Sequence, residues 1–143
     1  MKFVSTGFRA YAIRVLLLTV GIILAQAAAN DDQRYPAVLD VEAVEQDGRW
    51  SVTTTISSPY DSPERYADGF RVLTDTGVEL EVRTLWHHHA DEQPFTRSLV
   101  GLPIPDGVTS IYVQGRDKAN GWGGQVVRVR LSDGATEVLE SLP

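Results

Sequence analysis

The sequence predicts an all-β protein: a single antiparallel sandwich, immunoglobulin-like or fibronectin-like, with about seven strands. Three observations predict it. Short runs alternate apolar and polar residues with a period of two. Gly, Pro and Asp turn residues separate those runs at even spacing. From residue 30 onward, no stretch keeps a helical period beyond two turns. A small closed barrel is the architectural alternative. The chain has 143 residues, 43% of them hydrophobic, which suffices for one core and is too short for two.

Residues 1–29 read as a secretory signal peptide. Lys2, Arg9 and Arg14 precede an apolar run from Val15 to Ala25, and small residues close it at Ala27-Ala28-Ala29. The cut is expected after Ala27 or Ala29. The run is well short of the roughly 20 residues that a spanning helix needs, and an uncleaved anchor is the alternative. The β-sandwich domain then occupies residues 30–143. It keeps all 19 acids and only some of the 13 bases, so it is more acidic than the whole chain, whose formal charge is −6. That balance argues against nucleic acid as a partner. With no Cys there is no disulfide, no thiolate metal site, no Cys nucleophile and no acylated lipoprotein cysteine.

The expected strands follow in order. Val38–Glu45 and Arg49–Ser57 join through Asp47-Gly48, a hairpin signal, with Trp50, Val52, Thr54 and Ile56 on one face. Asp68–Thr74 puts Phe70 and Val72 on one side. Val78–Thr84 alternates again, with Val78, Leu80 and Val82 expected to point inward. Phe95–Val100 is shorter, and Val108–Gln114 and Gln125–Leu131 are rich in Val and Ile. The tail from Ala135 to Leu142 is expected to form one helical turn or to fray. Val113 and Val129 complete the expected core.

One segment could carry chemistry. Trp86-His87-His88-His89-Ala90-Asp91-Glu92 holds all three histidines, with two carboxylates behind them. Imidazole and carboxylate donors suit divalent metals, with Zn or Cu as the candidates. If the preceding strand continues, His87, His89 and Asp91 share a face and can close on one ion, with Glu92 as a further ligand, while His88 points away. The competing reading is a solvated turn. Asp117-Lys118-Ala119-Asn120-Gly121 has only a fragment of a calcium-loop pattern and reads as a turn. Tyr60, Tyr66, Trp86 and Trp122 could line a binding patch or close the ends of the core.

The run from His87 to Leu99, the segment Ile104-Pro105-Asp106-Gly107-Val108, Gly121-Trp122-Gly123-Gly124 and Tyr66-Ala67-Asp68-Gly69-Phe70 resemble a family of uncharacterised bacterial exported proteins. That family's pattern is similar to His-x-His-x-Asp-Glu-Gln-Pro-Phe-Thr-Arg-Ser. The resemblance spans about residues 60–131. It implies a single exported β domain, and it points to His87 and His89 rather than His88.

No nucleophile elbow, phosphate loop or dinucleotide fingerprint occurs. An enzyme is therefore the least expected class, and no catalytic residue stands out. The leading expectation is a periplasmic or secreted non-enzymatic binding or accessory protein whose partner is another exported protein or an envelope component. The alternative is a divalent-metal-binding protein using His87, His89, Asp91 and Glu92.

Overall fold

The structure, a computed structural model, describes residues 32–143; the expected signal peptide lies outside the described residues. Nine strands form two antiparallel sheets: β1 (Ala37–Gln46), β2 (Arg49–Ser57), β3 (Ala67–Thr74), β4 (Glu79–Thr84), β5 (Phe95–Leu102), β6 (Ser110–Asp117), β7 (Gly121–Trp122), β8 (Val126–Arg130) and β9 (Thr136–Leu139). The smaller sheet runs β1-β2-β5. The larger runs β4-β3-β6-β8-β9, with β7 paired to β6. This is a fibronectin-like sandwich, with neither sheet closed into a barrel. Among the described residues, no helix is long and apolar enough to cross a membrane.

The core is where the two inner faces meet. Val41, Val52, Ile56 and Phe95 of the smaller sheet face Phe70, Val72, Val113 and Val129 of the larger, and all are buried. Asp47 and Gly48 both take positive φ, 53° and 75°, so the β1–β2 connection is a two-residue turn whose twist matches its strands. The N-terminal end of β1 crosses to the larger sheet. There the Val38 N–H donates to the Gln125 carbonyl, and Gln125 Nε2 donates to the Val38 carbonyl.

Several expectations need correction. The tail is neither helix nor frayed, because Thr136–Leu139 forms β9 along β8. Val78 precedes β4 and is 59% exposed. Val82 is only half-buried: it pairs with Arg71, whose side chain bonds Gln114 and Glu79 rather than the core. Trp50 packs against the edge of the core but is half-buried, since it lies next to the end of its strand.

Candidate functional site

The connections 58–66, 85–94 and 118–125, with residues 32–36, gather at one end of the sandwich. β4 stops at Thr84. The next residue, Leu85, is buried and its N–H donates to the Asp68 carbonyl, so the chain is still tied to β3 when it turns away. Trp86 then emerges at 82% exposure. The chain does not continue as a strand, and the expected alternation through His87 to Asp91 does not hold. His87 is exposed, His88 half-buried and His89 buried.

Asp61 brings His89 into the interior. The Asp61 carboxylate is buried, and its two oxygens accept the N–H of Ala67 (3.0 Å) and the N–H of His89 (2.9 Å). The His89 carbonyl then accepts the Glu92 N–H and one Gln93 Nε2 proton, which closes a turn with Ala90 and Asp91 at its exposed tip. Gln93 locks this turn to the neighbouring loop. Its Oε1 accepts the Ser58 N–H at 2.7 Å, and its Nε2 also donates to Ser58 Oγ. The Gln93-Pro94 peptide is cis.

The His89 ring stacks on Phe95, with centroids 3.9 Å apart and planes 13° apart. The His87 ring also lies close to it, at 4.7 Å between centroids and tilted by 36°. Neither His89 nitrogen has a hydrogen-bond partner, and Nδ1 is 3.9 Å from Asp61 Oδ2, beyond hydrogen-bond length. Burial, with help from the Arg97 and His87 charges, holds the His89 pKa below its usual value against the pull of Glu92 and Asp61. Glu92 is ion-paired with Arg97 at 3.0 Å, and that bond holds its carboxyl below the usual range. Thus the fold brings His87 and His89 together, leaves Asp91 in solvent and gives Glu92 a cationic partner. Among the described residues, no group of three His, Cys, Asp or Glu side chains converges to hold a metal ion.

The neighbouring loops are equally tied. Asp117 Oδ1 accepts the N–H groups of Ala119 and Asn120 and the Asn120 side-chain amide, while Oδ2 pairs with Arg65. This is a turn held by its Asp. The Arg65 guanidinium lies 3.9 Å over the Tyr60 ring and donates to the Gln33 and Arg34 carbonyls. Burial beside the Asp117 carboxylate pushes the Tyr60 phenol up. Trp122 is flanked by Arg71 and Arg116 at 4.5 and 5.0 Å. Gly123 and Gly115 form a floor for Tyr35 and Pro36. A Cβ on Gly123 would sit 2.7 Å from the Tyr35 ring, and one on Gly115 would sit 2.6 Å from Pro36.

The sequence marks Asp61 only by its place in a loop with two prolines and two tyrosines. Gln93, Phe95 and Arg97 lie inside the motif that carries the resemblance, and the structure gives each a holding role. At the opposite end, a cleft of about 590 Å³ is lined by Trp50, Ile104, Val108 and Leu131, with Arg128 and Arg130 paired to Glu137 and Asp133.

Fold and loop end together define a fibronectin-like sandwich with a tightly latched set of loops and an exposed Trp86. Over 113 residues, 78% of its length, the chain is 35% identical to a Halomicrobium mukohataei protein described as a "Putative lipoprotein". The match covers 55% of that protein, so the chain spans about half the length of the curated relative it matches. No family model matches the chain. No solved structure matches it.

Proposed function

We propose that this is an exported, envelope-associated binding or accessory module without catalytic activity, and that it engages another exported protein or envelope component through its loop end. The observation that carries the reading is Trp86, at 82% exposure between Leu85 and His89, both buried. A large aromatic held out by anchored neighbours presents contact area at low entropic cost. The resemblance to exported proteins and the similarity to a protein described as a lipoprotein support export. These 143 residues contain no cysteine to acylate, so a lipid on this chain is not part of the proposal. The experiment is photo-crosslinking in cells, with the reactive residue at position 86 and a control at Val138, exposed on β9. One discrete adduct from position 86 is the expected result. Equal labelling from both positions would overturn the reading.

A second reading is divalent-metal binding. It is favoured by the close approach of the His87 and His89 rings and by the two partnerless nitrogens of His89. Here His87 and His89 bind Zn or Cu, and Asp91 or Glu92 adds an oxygen once the loop tip rearranges. Titration with Zn(II) and Cu(II) at neutral pH tests it. His87→Ala and His89→Ala should each abolish binding, and His88→Ala should not. Absence of binding tighter than about millimolar would leave the first reading alone.

A further inference from the structure

We propose that the free edge of β4 is a self-complementary docking strand, and that its occupant is the β4 edge of a second copy of this chain, running antiparallel about a two-fold axis at Val82. β4 ends the larger sheet and, among the described strands, pairs only with β3. Its hydrogen-bonding directions can be read from one contact. The Leu85 N–H donates to the Asp68 carbonyl, so by antiparallel alternation Arg83 and Glu81 also bond toward β3. The backbone groups of Val82 and Thr84 then face outward; the ladder shifts between Val72 and Leu73, so the alternation stops short of Leu80. An independent contact agrees: the Val82 N–H is satisfied by Oε1 of Glu81 rather than by a strand.

A two-fold axis requires that if residue i meets residue j, then j meets i. Centred on Val82, antiparallel pairing sets each Glu81 opposite the Arg83 of the other copy, giving two opposite-charge cross-strand pairs on one face. Leu80 and Val82, both half-buried, extend an apolar strip on the other face. The exposed Glu81 carboxylate exchanges its own amide for the partner's guanidinium, and the Val82 N–H gains a backbone carbonyl. The two larger sheets become one continuous sheet. Charges on an edge strand also commonly serve to prevent pairing. Here their order makes antiparallel pairing favourable at this one register. The acidic charge of each copy opposes association, so the dimer forms only as concentration rises.

The test is sedimentation velocity across a dilution series of the folded chain. The expected result is a monomer–dimer equilibrium. Arg83→Glu gathers four acids about the axis and should weaken the dimer by about tenfold or more. The double reversal E81R/R83E restores opposite charges in exchanged positions and should recover it. Both sites are exposed, and circular dichroism checks that each variant is folded. A wild-type chain that stays monomeric throughout overturns the proposal. So does a dimer that tolerates Arg83→Glu, or a double reversal that fails to recover.

Discussion

His89 is buried against Phe95 and beside His87 with no partner for either nitrogen, so its neutral form is the one the fold accepts. The unfolded imidazole takes up a proton near pH 6.5, and the folded one only at lower pH. Between those two points the unfolded chain binds more protons, so stability falls as pH drops through 6.5 and levels off below the folded pKa. Tm of the metal-free protein should therefore decline over this window, and His89→Gln should flatten that slope. An unchanged slope would place the titrating group elsewhere. Asp61 poses a sharper case. Replacing it with Ala strands two buried N–H groups, those of Ala67 and His89, and should cost about 2–4 kcal/mol by urea denaturation. A loss below about 0.5 kcal/mol would mean that water replaces the carboxylate at both amides.

Seating Tyr35 and Pro36 on β6 and the 123–125 connection depends on bare backbone. Gly123→Ala should cost about 1–3 kcal/mol and loosen residues 32–36 to protease. Combining it with Tyr35→Ala should cost less than the sum of the two single changes, since the clash then has no partner. Strict additivity would show that Tyr35 is not what the new methyl meets. The strands themselves were differently legible. Arg49–Ser57 alternates without a break and follows Asp-Gly, so its inward face and its hairpin pairing follow from sequence alone, while the register shifts opposite Leu39 and beside Trp50 do not. The depth of Trp50 does not follow, because period sets a face and not where the opposing sheet ends. β9 has weak alternation and owes its form to the ladder of β8, a tertiary cause. The histidine cluster was visible as composition. The bend after Leu85 and the anchor 28 residues upstream at Asp61 were not, because both depend on β3 lying alongside.

Across the whole chain the excess of acids over bases leaves a formal charge of −6, and the small sandwich, which keeps every acid, is more acidic still. Self-repulsion of this kind weakens as the screening length shrinks from about 30 Å at 0.01 M salt to about 3 Å at 1 M. Tm should therefore rise with added NaCl. A fall would mean that ion pairs such as Arg116–Asp68, at 2.7 Å, outweigh the repulsion. The two sheets also differ in how they meet solvent. The smaller one pairs its exposed hydroxyls across strands, Thr53 with Ser98 and Thr55 with Thr96, each at 2.9 Å. That face offers water a surface already satisfied within itself.

One carboxylate serving two segments also has a kinetic meaning. The Ala67 amide starts β3 and the His89 amide sits in a loop, yet both end on Asp61. Neither can be released without disturbing the group that shields the other. Their protons should thus exchange with solvent through one shared opening, at similar slow rates, while the exposed Asp91 amide exchanges freely. The loop that carries Trp86 would then open together with the start of β3 rather than by itself.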